Sequence, residues 1–126
     1  MDYQVQLNNG QAIILENAEF EAKGSESVFN VRDVLSVHFG NYLTNKHLIN
    51  AIIPDGAELI DLPFVLTLSN GTVIAKGTHA AIDLTELNKI INDPQALFFE
   101  FGGSLIIKHS FVSIMPNEVV STLSND

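Results

Sequence analysis

The chain contains no cysteine and no tryptophan, and only six of its 126 residues are lysine or arginine. Without cysteine there is no disulfide framework, no thiolate metal site and no thiol nucleophile, so the fold rests on packing alone. The six basic residues, Lys23, Arg32, Lys46, Lys76, Lys89 and Lys108, face fifteen acids, for a formal charge of −9 at pH 7. Affinity for a phosphate backbone or an anionic membrane comes from clustered lysine and arginine that displace counterions. Indiscriminate binding to either is therefore disfavoured, while a local site is not. No uninterrupted apolar run approaches the ~20 residues that cross a bilayer, and the first residues lack the basic and apolar segments of a secretory signal. A cytoplasmic protein with no membrane partner is the expectation.

What the chain has is apolar bulk, with 46% hydrophobic residues and a mean hydropathy of +0.22. Its length suits one domain around one real core. Residues 1–116 read as that single globular domain, and residues 117–126 as a flexible C-terminal tail. So small an interior leaves some apolar surface for a protein partner or a second copy, a homodimer being the simplest form.

Turn chemistry organises most of the length. Asn9-Gly10 lies between two strand-like runs and suits the positive φ values of a two-residue type I′ turn. That turn pairs Leu7 with Ala12 and Val5 with Ile14, which puts Tyr3, Val5, Leu7, Ala12 and Ile14 on one face. The second strand then reads as buried on both sides and the first as nearer an edge. Asn70-Gly71 repeats this logic, pairing Leu68 with Val73, Leu66 with Ala75 and Phe64 with Gly77. The likeness of QVQLNNGQAII to VLTLSNGTVIA leaves two readings open, a weak internal repeat or, the favoured one, two independent uses of a common turn. A third hairpin joins Leu97 to Phe101 with Ser104 to Lys108 at Gly102-Gly103. Phe111 to Met115 supply one more strand, stopped by Pro116, and Ala18 to Lys23 alternate as a half-exposed strand.

Between the first two hairpins, Val28 to Pro54 carries helical spacing. Asn30 is a good N-cap, and Val31, Val34, Leu35, His38, Phe39 and Tyr42 fall along one side of a helix that Gly40 and Asn41 close. Thr44 or Asn45 then caps a second helix through Leu48, Ile49 and Ile52. Val28 to Val31 also read as a short strand. Asp83 or Thr85 caps a further helix carrying Leu84, Leu87, Ile90 and Ile91, ended by Asn92, Asp93 and Pro94. The fold class is α+β, a mixed or barrel-like sheet of hairpins with two or three short helices.

Chemistry is sparse. The histidines, His38, His47, His79 and His109, share no helical metal-ligand spacing, so neither a metal nor another cofactor is expected. Glu16, Glu19, Glu21 and Glu26 read as a solvated strand face, because the tight glycine-containing loop of a calcium site is missing. Gly102-Gly103 precedes a strand and lacks the lysine pair of a phosphate loop, and there is no serine elbow. An enzyme would need a pocket in which His79 or His109 meets a carboxylate such as Asp83 or Glu100. With no such motif in the spacing, the expectation is a protein that is not an enzyme. Phe98, Phe99 and Phe101 read as core, Phe98 on one face of a strand and the other two on the opposite face. Only one of those faces is available to stack bases.

The run VRDVLSVHFGNYLTNKHLINAIIPDG between hairpins, together with the small size and acidic balance, resembles the PrgU-type small regulatory proteins of Gram-positive conjugative plasmids. The resemblance implies a PUA-like fold, a mixed-strand pseudo-barrel often used to bind RNA, and a role in restraining expression of conjugation surface genes. The leading expectation is a non-enzymatic regulatory or binding protein of a bacterial accessory element, acting on RNA through a local patch of Lys76, His79, Lys108 and His109. The alternative is a protein-interaction or oligomeric structural module that binds no nucleic acid.

Overall fold

The structure, a computed structural model, describes residues 2–16, 29–30, 36–39 and 42–118. Its strands are β1 (Asp2–Leu7), β2 (Ala12–Leu15), β3 (Ser36–Phe39), β4 (Tyr42–Asn45), β5 (Ile49–Asp55), β6 (Ile60–Leu68), β7 (Val73–Gly77), β8 (Phe98–Phe101), β9 (Ser104–Ile107) and β10 (Phe111–Pro116). An α-helix, α1 (Leu84–Asn92), lies between β7 and β8. Two 3-10 turns, Lys46–Leu48 and Lys108–Ser110, lead into β5 and β10. The strands form a five-stranded sheet in the order β2-β1-β5-β9-β8, a three-stranded sheet in the order β10-β6-β7, and the pair β3-β4. Every pairing is antiparallel, so the protein is mostly β, and among the described residues no sheet is mixed or closed into a barrel. No helix of the described residues is long and apolar enough to cross a membrane.

The middle of the five-stranded sheet is buried on both faces. Phe98, Leu105 and Ile107 project into one core with Val5, Ile49 and Ile52. Phe99, Phe101 and Ile106 project into the other with Leu62, Leu66 and Leu68. The alternation expected of Phe98 against Phe99 and Phe101 holds, but all three rings are at most 1% exposed, so neither face is open for base stacking.

The helical reading of the central stretch fails where the chain is described. Ser36 to Phe39 and Tyr42 to Asn45 pair as a hairpin, and Ile49 to Asp55 is the strand at the centre of the larger sheet. A strand covered on both faces reads as a nearly continuous apolar run, which a short window does not separate from a buried helix. Residues 31–35, on which that helix was to begin, and the expected Ala18 to Lys23 strand lie outside the described residues. The helix capped by Asp83 forms as the capping chemistry requires, with Asp83 Oδ1 accepting from the Thr85 and Glu86 amides at 3.0 and 3.3 Å. Of the expected tail, Asn117 is tied down, its Nδ2 donating to the Leu62 carbonyl at 3.2 Å.

Both Asn-Gly hairpins turn through three residues rather than two. The Gly10 amide donates to the Leu7 carbonyl, the Leu7 amide donates to the Gln11 carbonyl, and Gly10 takes φ 91°. Gly71, Leu68 and Thr72 reproduce the arrangement, with φ 90° at Gly71. In each loop the asparagine side chain accepts the amide two residues on, Gln11 from Asn9 at 3.0 Å and Thr72 from Asn70 at 2.9 Å. The extra residue slips each register by one, so Val5 faces Ile13 and Leu66 faces Ile74. A one-residue slip exchanges the faces of a strand. Ile13 and Leu15 therefore pack on the core while Ile14 is 49% exposed, and β2, not β1, is the edge strand.

The two hairpins belong to a true internal repeat. Val5, Gln6 and Leu7 face Ile52, Ala51 and Ile49, and Leu66, Thr67 and Leu68 face Ile114, Ser113 and Phe111 in the same sequence. Each register skips one residue, Asn50 in β5 and Val112 in β10, a β-bulge at the same place in both halves. Ser36 faces Asn45 in the β3-β4 hairpin, and Phe98 faces Ile107 in the β8-β9 hairpin. Equivalent residues are 61 or 62 positions apart throughout. Among the described residues the halves differ in how their sheets are joined. β5 pairs with β9, whereas the equivalent pairing of β10 with β4 is not made among the described residues. Leu105 of β9 is accordingly 0% exposed and its counterpart Leu43 of β4 is 72% exposed.

At the far end of the sheet the Thr78 amide donates to the Gly102 carbonyl at 2.9 Å, and a Cβ on Gly77 would overlap that carbonyl oxygen. Gly77→Ala is expected to lower the free energy of unfolding by about 2–3 kcal/mol through this clash. Gly10→Ala, which meets open space and only the cost of a positive φ, should lose about 1 kcal/mol. Equal losses in chemical denaturation would show that the close approach is not what constrains Gly77.

Candidate functional site: a cleft between two Lys-His turns

Antiparallel pairing of β5 with β9, Ala51 facing Ile106 and Ile52 facing Leu105, places the entry to β5 beside the exit from β9. Lys46-His47-Leu48 occupies that entry and Lys108-His109-Ser110 that exit, so two equivalent dipeptides from the two halves become neighbours. The bulge residue helps to fasten them, since Ser110 Oγ donates to Asn50 Oδ1 at 2.9 Å. The Asn45 side chain accepts the His47 amide at 2.9 Å and caps the first turn. The last carbonyl of each turn is taken by the residue that opens an Asn-Gly loop, Leu48 by the Asn8 amide at 2.8 Å and Ser110 by the Ser69 amide at 2.7 Å.

The segment after α1 forms the opposite wall. Asn30 Oδ1 accepts the amides of Leu97 and Phe98 at 2.7 Å each, and its Nδ2 donates to the Phe98 carbonyl at 3.1 Å. Asp93 turns its carboxylate onto the Gln95 amide at 2.9 Å. The result is a cleft of about 470 Å³, lined by Asn30, Lys46, His47, Lys108, His109 and residues 94–97, with no carboxylate among them.

Two of the chain's six basic residues and two of its four histidines meet there. Lys46 is 1% exposed and donates through Nζ to the Phe29 carbonyl at 3.1 Å. Lys108 Nζ donates to the Asp93 carbonyl at 2.9 Å, which uses one of its three donor hydrogens. Both imidazoles are exposed and make no hydrogen bond to the protein among the described residues. The cleft thus gathers ammonium and imidazole groups, which carry N–H donors.

The four residues expected to form one patch are divided. Lys108 and His109 are in the cleft. Lys76, on β7, makes a 3.7 Å ion pair with Asp61 in which both side chains are more than half exposed, a contact worth little. His79 lies past β7 against the turn of the β8-β9 hairpin, whereas Lys108 follows the opposite end of that hairpin. Lys46, His47 and Asn30 were missed, although the recurrence of FGNYLTNKH as FGGSLIIKH pointed to the first two.

His79 does meet Glu100, Nε2 to Oε1 at 2.7 Å. Its Nδ1 accepts the Ala81 amide at 3.2 Å, which assigns the proton to Nε2 as the donor to the carboxylate. Glu100 is 8% exposed and also accepts the Gly103 amide at 3.0 Å. With both ring nitrogens engaged, the pair latches the loop after β7 to the hairpin. The nearby Ser104 hydroxyl is buried and has no hydrogen-bond partner among the described residues, but Ser104 faces Phe101 in the register and so lies on the face opposite Glu100. Among the described residues no group of three or more carboxylate or histidine ligands is placed to hold a metal ion.

No protein-family model matches the chain, nor does any curated protein or any solved structure.

Asn30 holds the wall of the cleft from 67 and 68 residues away in sequence. Asn30→Ala strands two amides in a partly buried setting and is expected to cost about 2–4 kcal/mol in denaturant unfolding. A loss below 0.5 kcal/mol would show that these bonds do not hold the wall.

Proposed function

We propose that the protein is a non-enzymatic regulatory protein that binds RNA phosphate in the Lys-His cleft. The role implied by the resemblance to PrgU-type proteins, restraint of gene expression by a PUA-like protein of a bacterial accessory element, belongs to the same proposal. One observation carries it: in a chain of charge −9, two lysines and two histidines line one cleft that has no carboxylate among its described lining residues. An anion is drawn to that cleft and repelled elsewhere, which makes binding local rather than indiscriminate. Buried phenylalanines remove a stacking platform, so contact is through phosphate rather than through bases. The engagement of His79 by Glu100 and Ala81 favours a structural over a catalytic role for that pair.

Fluorescence anisotropy with a labelled single-stranded RNA tests this reading. Binding is expected to saturate, to weaken as salt is added, and to fall about tenfold in Lys108→Ala but not in Lys76→Ala. Absence of binding at low salt, or equal losses in the two variants, would sink the assignment.

The exposed Tyr42 and Leu43 of β4, 48% and 72% accessible, favour a second reading as a protein-interaction or homodimeric module. In sedimentation equilibrium the chain should then gain mass with concentration and Leu43→Glu should abolish the gain. A concentration-independent monomer would remove the homodimer.

A further inference from the structure

We propose that β4 of one copy pairs with β10 of a second copy, Leu43 facing Ile114 and Thr44 facing Ser113, and that two copies make this joint reciprocally. This rests on the homodimeric reading given above and names the two strands that meet.

The register follows from the seam already made inside the chain, where Ala51 faces Ile106 and Ile52 faces Leu105. Replacing each residue by its equivalent in the other half, 62 positions away, sets Ser113 against Thr44 and Ile114 against Leu43. Among the described residues β4 pairs only with β3 and β10 only with β6, so each is an outer strand.

Side chains at the two edges match. Where the internal seam has the bond from Ser110 to Asn50, the equivalent positions hold Leu48 and Val112. A polar pair that meets is thus replaced by an apolar pair, and these two residues are left 44% and 57% exposed. Leu43 is likewise exposed, although its counterpart Leu105 is buried at the internal seam. Bringing β4 of a second copy against β10 covers Leu43, Leu48 and Val112 together and extends the ladder along both edges. Neither strand, YLTN or FVSIMP, carries a charged residue. In a chain of charge −9, two copies approach with least repulsion where both surfaces are uncharged.

Within one chain the β3-β4 hairpin lies against the core of Val5 and Ile52 through Val37, and β10 lies against the core of Leu62 and Leu66 through Ile114. The two strands are not paired with each other there. Each copy therefore presents one β4 and one β10, and a two-fold axis satisfies both joints and closes the assembly.

The absence of cysteine allows a cross-link at chosen positions of the intact chain. Facing residues of an antiparallel ladder have Cα atoms about 4.5–5.5 Å apart, within the span of a disulfide. Leu43→Cys and Ile114→Cys chains, one of them isotopically labelled, are mixed under mild oxidation and the products weighed intact. The mixed disulfide is expected to predominate over either like pair. In sedimentation equilibrium Leu48→Glu and Val112→Glu should each raise the dimer Kd about tenfold or more, because each places a charge in an apolar joint. Val73→Glu, at an exposed apolar residue of β7, should leave it unchanged. A like disulfide of Leu43→Cys that forms as readily as the mixed one overturns the pairing, since β4 then meets β4. A monomeric internal disulfide in the Leu43→Cys, Ile114→Cys double variant overturns it as well, since the joint then closes within one chain. Mass that rises with concentration without a mixed disulfide overturns the β4-β10 joint and leaves the homodimer standing. A concentration-independent monomer overturns both.

Discussion

The pairing of β5 with β9 is the contact on which the rest of the structure depends. It joins the central strand of the first half to the hairpin of the second, and so makes one five-stranded sheet from two repeated units. Ala51, Ile52, Leu105 and Ile106, the residues at that joint, are all fully buried. Because side chains alternate along each strand, Ile52 and Leu105 enter one core while Ala51 and Ile106 enter the other. The same seam brings the two Lys-His turns side by side.

Duplication explains why the site has two similar sides. Each half runs from an Asn-Gly hairpin to a second hairpin and through a Lys-His turn to a strand that returns beside its first. The bulges at Asn50 and Val112 follow the turns at the same distance. In β5 the bulge keeps Ile49 and Ile52 in one core and leaves Asn50 to accept from Ser110. The halves differ in side-chain contacts and packing. Glu100, which latches the second hairpin to His79, has His38 as its counterpart, and the buried Leu105 has the exposed Leu43. Among the described residues, the unmatched joint between β4 and β10 is a clear departure from symmetry.

Charge gives the cleft its meaning. Basic residues are so few in this chain that the meeting of Lys46 and Lys108 at one cleft is informative. Beside the cleft, the Asp93 carboxylate is turned onto the Gln95 amide and the Asp93 carbonyl takes the Lys108 ammonium. On the other flank of the protein, Asp83, Glu86 and Glu100 line a separate cleft beside α1, which gives that side the opposite sign.

Local chemistry was legible in the chain itself. The Gly102-Gly103 hairpin, the helix capped by Asp83 and the opposed faces of Phe98 and Phe99 each follow from residues within a few positions of one another, where turn geometry, capping and side-chain alternation act. What depended on distant partners was decided only by the tertiary structure. One extra residue in each Asn-Gly loop moved the register and exchanged the faces of β2, because hairpin pairing has a period of two. The apolar stretch around Ile49 became a strand rather than a helix because it is covered on both faces by partners far away in sequence. Lys46 and Lys108 belong to one site for the same reason, since only the β5-β9 pairing brings residues 62 positions apart into a common cleft.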